Sequence, residues 1–390
     1  MAVDFCEVAN GYVAELRARG PEIDTQRALP QDLADRLAAD GFYRLCTPIE
    51  LGGVGASPQC LAEVCEILAT GNGSAAWCVF IGATSQYMFP AVSQQLLQEL
   101  LENPNVVTSG VFAYSGTAVR LSEASPSIWR IDGRWDWGSG CQNATWISGG
   151  VIMCDADGNP IPDRHDRPTE ARAFFKPAEI DILDNWHTSG LRGTGSSSYI
   201  ASNLELQEYR IATVESLRAS PLADLPIYRF PRFGYLALSI GAISLGMARD
   251  SIDEALRVAK AKTPTGSGRT LSTRPAFHRQ VALADASLRA ARSSFYADIQ
   301  HAWTEAQQQI GDLETRRLLR SSISHAVTAS MNVVDQMYTA VGGTSVFEDS
   351  PLQRHFRDIH VASQHMMVAE PVMELAGRVM SDVDDDALGL

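Results

Sequence analysis

Apolar positions along this chain follow three successive rhythms. Over the first hundred residues they recur three and four apart, as on one face of a helix. LPQDLADRLAADGF sets Leu33 and Leu37 four apart and stops at Gly41. Ser57-Pro58 reads as an N-cap with proline at the first helical position, followed by a stripe of Leu61, Val64, Cys65 and Leu68. Residues 86–102 carry Val92, Leu96, Leu97, Leu100 and Leu101 and predict one further helix ended by Pro104. From about residue 106 the period shortens. SIWRIDGRWDW predicts two short strands turning at Asp132-Gly133, a type I′ signal. TWISGGVIMC and ARAFFKPAEIDI read as further strands, and the polar stretch 155–171 between them as a surface loop. Beyond Tyr228 the helical period returns and lengthens. Tyr235–Leu256 opens as an apolar run buried on most sides. Phe277 to Ile299, Leu318 to Met337 and Val368 to Val379 each keep one apolar stripe. The pattern predicts a helical domain over 1–105, a β domain over 106–215 and a helical bundle over 225–390.

Composition narrows the function classes. The chain has 390 residues, 45% hydrophobic and 20% charged, with a net charge of −14. An acidic chain lacks the basic face that nucleic-acid binding needs. No run of about 18 apolar residues is present, so no membrane span is expected. MAVDFCEVANGY has neither a basic nor an apolar signal region, and a cytoplasmic location is expected. The seven cysteines form no CxxC, which predicts buried reduced thiols and no metal site.

Five segments recur in a familiar order: GFYRLCTPIELGGVG (41–55), WDWGSGC (135–141), TWISGG (145–150), LRGTGSS (191–197) and the 340–365 segment ending in RDIHVASQH. Together they resemble the acyl-CoA dehydrogenase fold, and most of all its oxygen-using branch, the group D two-component flavin monooxygenases. The resemblance spans nearly the whole chain. It implies an α+β multidomain protein: an N-terminal helical domain, a central β-barrel and a C-terminal four-helix bundle that forms a homotetramer. It also implies flavin between barrel and bundle, closed over by a neighbouring subunit.

A dehydrogenase removes a proton beside a thioester carbonyl and needs a carboxylate base. The family keeps it eight residues beyond the Asp of the RD pair, here Met366, or in the first bundle helix, here 229–249, which has no Asp or Glu. Both places lack it. The hydroxylases instead carry a hydroxyl residue in an SGC tripeptide and a histidine after the RD pair, matched by Ser139 and His365. The resemblance makes these two catalytic. A hydroxyl on flavin N5–H in a dry pocket delays peroxide loss from the C4a-hydroperoxide, and a histidine takes or orients a substrate proton. The resemblance further implies cofactor contacts at Trp137, Gly138, Arg192, Gly193, Thr194, Arg269, Gly342 and Gly343. Substrate contacts are expected at Ser85, Tyr87 and Tyr114. The cofactor is reduced FAD or FMN with O₂ as co-substrate, the substrate a small aromatic molecule, and the electron source a separate NAD(P)H:flavin reductase. Gly190–Ser196 has no βαβ frame, so it supplies no nicotinamide site. Ser85 stands where many phenol hydroxylases carry a histidine after the GSxAW motif. This favours an electron-rich indole over a simple phenol.

The residues alone leave other readings open. Ser139 suits a glycine-flanked turn, Arg269 a solvated surface, Arg357-Asp358 a structural ion pair, and Trp135, Trp137 and Trp146 a hydrophobic core. The same scaffold also serves N- or S-oxygenation, acyl-CoA dehydrogenation, or partner binding without catalysis.

Overall fold

Six helices open the chain: α1 (Phe5–Ala18), α2 (Gly20–Gln26), α3 (Gln31–Ala39), α4 (Pro58–Gly71), α5 (Gly73–Ser85) and α6 (Gln94–Leu101). The computed structural model describes residues 3–122, 126–308, 311–383 and 389–390. Short polar side chains start these helices by accepting otherwise unpaired backbone N–H groups. Asp4 caps α1, Ser57 caps α4, Asn72 caps α5 and Ser93 caps α6. α5 is apolar on every side and almost wholly buried, so it forms the centre of this layer.

The single helix expected over 86–102 is two elements. Pro90 lies in a 3₁₀ segment, Gln86–Ala91, and the α-helix begins only after Ser93. Proline lacks the N–H that would continue the helix, and Ser93 supplies a fresh cap.

Seven strands follow: β1 (Thr108–Arg120), β2 (Ile128–Gly138), β3 (Trp146–Cys154), β4 (Glu170–Phe175), β5 (Asp181–Ile182), β6 (Ser197–Gln207) and β7 (Ile211–Thr213). They form one sheet in the order β5-β6-β2-β1-β3-β4-β7. Among the described residues only β1 and β3 run parallel. The expected turn at Asp132-Gly133 is absent: both residues lie inside β2, paired with Thr117 and Gly116 of β1. The physical reason is the Trp135 indole, which lies against the backbone of three glycines. A Cβ at Gly116, Gly133 or Gly149 would come within 2.5, 2.8 or 2.3 Å of that ring. Gly133 therefore serves packing.

The sheet has two buried faces. Ala171, Ala173 and Phe175 of β4 join Trp129, Ile131, Trp135 and Tyr199 in the sheet's own core. Phe174, pointing the other way, joins the helical core with Trp146.

The chain then becomes helical: α7 (Val214–Ala219), α8 (Pro226–Arg229), α9 (Arg232–Ala261), α10 (Pro275–Gln308), α11 (Leu313–Val341), α12 (Pro351–Ala362) and α13 (Glu370–Met380). The predicted stripes lie on α9, α10, α11 and α13. α9 packs on α4, α5 and α11, which accounts for its nearly unbroken buried opening. Among the described residues no helix is long and apolar enough to cross a membrane. All seven cysteines are free thiols, and burial holds Cys65, Cys78 and Cys141 near a pKa of 12.

Candidate functional site

Trp77, on α5, brings two distant parts of the chain together. Its indole Nε1–H donates to Ser139 Oγ (3.2 Å), and its ring meets the His365 ring edge-on at 5.8 Å. Ser139 follows β2 at a sharp bend, where Trp137 (φ +70°) and Gly140 (φ +72°) both adopt left-handed backbone. The bend is locked from two sides. Ser109 Oγ donates to Ser139 O (2.7 Å), and Gly140 N–H donates to Thr194 O (2.8 Å). Ser139 Oγ contacts Ser196 Oγ (2.6 Å), which in turn contacts Thr194 Oγ1 (2.7 Å). All three hydroxyl residues are buried. Trp137 is 71% exposed and meets the Trp186 ring edge-on, 5.7 Å away. An exposed indole beside a hydroxyl fits one flat face and the N5 edge of an isoalloxazine ring.

His365 follows α12. Its Nδ1 accepts the Met367 backbone N–H (3.2 Å), so the neutral ring carries its proton on Nε2. Burial lowers its pKa to about 4, and Arg320 adds to the shift. At neutral pH His365 is therefore uncharged and presents an Nε2–H donor. Arg320 is itself buried and donates to Met367 O (2.7 Å), and burial lowers it to about 10.

The depressed His365 carries a stability consequence. Below pH 6.5 the unfolded histidine takes up a proton that the folded one refuses until about pH 4. Stability should therefore fall as pH drops across that window, by up to about 3 kcal/mol. Asp358, raised to about 6 by burial and by Asp24, titrates there with the opposite sign. The test is the difference between wild type and His365→Gln in urea midpoint at pH 7 and pH 4.5. The gap should narrow at the lower pH.

The remaining predicted residues divide. Thr194 joins Ser139, as described. The Arg192 guanidinium instead reaches Asp24 O (3.0 Å) and Thr188 O (3.3 Å), fastening the 191–197 loop to α2. A Cβ on Gly193 would lie 2.0 Å from Ile23, and one on Gly138 would lie 2.7 Å from the Tyr199 ring, so both glycines answer to packing. Tyr87 is buried between Tyr228 (5.1 Å) and Tyr235 (5.6 Å). It shares Arg232 as an electrostatic neighbour with half-buried Tyr114. Ser85 is buried at the end of α5.

Arg269, Gly342 and Gly343 lie at the other end of the bundle. Lys262, which caps α9, donates to Val341 O (2.5 Å) and so joins the exposed α9–α10 connection bearing Arg269 to the end of α11. Arg320, at the level of His365, lies 22 residues before Gly342 on or beside α11, about 33 Å at 1.5 Å per residue. That exceeds the length of an extended FMN.

Arg357-Asp358 is not an ion pair. Arg357 pairs with Asp24 (3.0 Å), while Asp358 accepts the Leu191 N–H (2.6 Å). Asp358 thereby holds the 191–197 loop, and Arg357, which also donates to Ser189 O (2.7 Å), holds the residues just before it. His355 pairs with Asp250 and His360 with Asp335, and no metal-binding cluster occurs among the described residues. Trp77, Ser196 and Arg320 are the site residues that sequence reasoning missed. Trp77 and Ser196 stand inside motifs already noted, whereas Arg320 has no signal in the stripe of α11.

This architecture is that of the acyl-CoA dehydrogenases: their N-terminal domain family matches residues 5–100 and their C-terminal domain family residues 238–370. Relatives across the full length carry oxygenase names. The chain is 28% identical to indole-3-acetate monooxygenase of Pseudomonas putida, over 93% of this chain and 89% of that one. It is 26% identical to the oxygenase component of p-hydroxyphenylacetate 3-hydroxylase of Acinetobacter baumannii, over 98% and 90%. In fold it matches XiaF from Streptomyces sp., solved with FADH2 and glycerol, at a TM-score of 0.88, 23% identity and 98% and 96% coverage. The chain belongs to the flavin-dependent monooxygenases of the acyl-CoA dehydrogenase fold.

Proposed function

We propose that this protein is the oxygenase component of a two-component system. It takes reduced FAD or FMN from a separate NAD(P)H:flavin reductase and uses O₂ to hydroxylate a small aromatic molecule. The observation that carries the reading is the meeting of Ser139 and His365 across Trp77. One residue can address the flavin N5 edge and the other a substrate lying over it. Bound flavin supplies the oxygen-activating chemistry. The chain's own part is to accept a hydrogen bond from N5–H at Ser139, to stack Trp137 on the ring, to exclude water, and to present His365 Nε2–H to the substrate. Ser85 in place of a histidine, and the acetate-bearing indole acted on by the relative from Pseudomonas putida, favour indole-type substrates.

The same reading includes a barrel-like closure of the central sheet, a four-helix bundle and a homotetramer in the cytoplasm. The separation of Arg269 and Gly342 from Ser139 supports an assembled site, in which each flavin meets Ser139 of one protomer and the bundle end of another. Light scattering should give a tetramer at micromolar concentration, and flavin affinity should fall as the tetramer is diluted to dissociation. A monomer that binds flavin at full affinity contradicts this. The activity itself is tested with reduced flavin, O₂ and a panel of indoles and phenols. A product heavier by one oxygen atom is expected, and its absence across the panel with full peroxide release contradicts the reading.

A further inference from the structure

The hydroxyls behind Ser139 fix which way its proton points. Thr194 Oγ1 lies 2.8 Å from Leu191 O. A carbonyl oxygen only accepts, so Thr194 spends its one proton there. Thr194 and Ser196 are 2.7 Å apart, and with the Thr194 proton spent, Ser196 must be the donor. Ser139 and Ser196 are 2.6 Å apart, and by the same count Ser139 must donate to Ser196. Trp77 Nε1–H occupies one of the two lone pairs on Ser139 Oγ. What remains is a single lone pair and no proton.

The start of this relay is held firmly. Leu191 adopts left-handed backbone (φ +47°), its N–H is bound by Asp358 (2.6 Å), and its carbonyl also accepts from Trp186 Nε1 (3.0 Å). Every member from Leu191 to Ser139 is buried, as is Trp77, so water does not reorient the chain.

We infer that Thr194, Ser196 and Trp77 are positioning residues that make Ser139 an obligate acceptor, and that this directionality selects reduced over oxidised flavin. Reduced flavin carries a hydrogen on N5 and matches the open lone pair. Oxidised flavin carries a lone pair on N5, and two lone pairs then face each other in a buried site. The inference rests on the proposed placement of N5 at Ser139. It adds that the residues bonded behind Ser139 decide which redox state is held.

The test is anaerobic titration of the intact protein with FAD and FMN, each oxidised and dithionite-reduced, read by flavin absorbance and fluorescence. Wild type should bind the reduced form more tightly. Ser196→Ala frees the Ser139 proton to turn toward N5, and Thr194→Val frees the Ser196 proton to turn back toward Ser139. In both, the preference should shrink about tenfold, chiefly through tighter binding of oxidised flavin. A merely structural role does not produce that gain. Ser139→Ala separates the two effects, because it should weaken reduced flavin without strengthening oxidised flavin. Melting temperatures verify that each variant is folded. An unchanged preference in folded Ser196→Ala and Thr194→Val, with Ser139→Ala still abolishing it, overturns the relay and leaves the flavin site standing. A wild-type protein that binds neither redox state overturns both.

Discussion

Ser139→Ala is expected to uncouple the reaction, with reduced flavin still consumed by O₂ while hydroxylated product falls and H₂O₂ rises. The hydroxyl is buried, its backbone is locked by Ser109 and Gly140, and its position is set by Trp77 and Ser196. Such preorganised groups cost no reorganisation when charge or hydrogen bonding changes at the reacting centre. Removing one typically costs about 3 kcal/mol, roughly a hundredfold in rate. The measurement is peroxide and product per reduced flavin consumed. Full coupling in the variant would make the 138–141 bend a structural feature of the sheet and nothing more.

His365→Ala should act on the other partner. Oxygen transfer should slow on the order of a hundredfold, the low end for removing one preorganised donor. Consumption of reduced flavin without substrate should stay near that of wild type, because His365 addresses the substrate. The geometry narrows how the residue works. With Nδ1 accepting from Met367 N–H and the ring neutral, His365 is set to orient the substrate by donating through Nε2. A glutamine keeps a donor of similar reach, so His365→Gln should recover part of the lost rate. Product formation should be flat from pH 6 to 8, since a group with a pKa of about 4 does not titrate there. A rise in rate through pH 6.5 that disappears in His365→Gln would instead identify a base of ordinary pKa.

Much of this was legible in the sequence where the physics is local. Period and capping gave the helices, because an apolar stripe and a serine cap act within a few residues, as at Ser57 and along α10. Ser139 and His365 were legible as members of short motifs. Their meeting over Trp77 was not, since contacts between residues far apart in the chain leave no periodic trace. The failures share that cause. Asp132-Gly133 has turn chemistry, but Trp135 needs the glycine for close packing inside β2. Arg192 was legible only as part of a glycine-rich motif at the flavin edge, and its hold on the carbonyls of Asp24 and Thr188 left no local trace. Arg357 and Asp358 are adjacent and opposite in charge, yet neighbours on a helix point about 100° apart, and each finds its partner on another element.

The central claim is that this chain holds reduced flavin and directs its reaction with O₂. It is tested most directly by mixing the protein, loaded anaerobically with reduced flavin, against O₂ in a stopped-flow spectrometer without substrate. The account predicts two resolved phases, with a species spectrally distinct from reduced and oxidised flavin outlasting the oxidation of free reduced flavin. In Ser139→Ala that species should decay about a hundredfold faster. A single phase at the rate of free flavin, the same in wild type and variant, would contradict it.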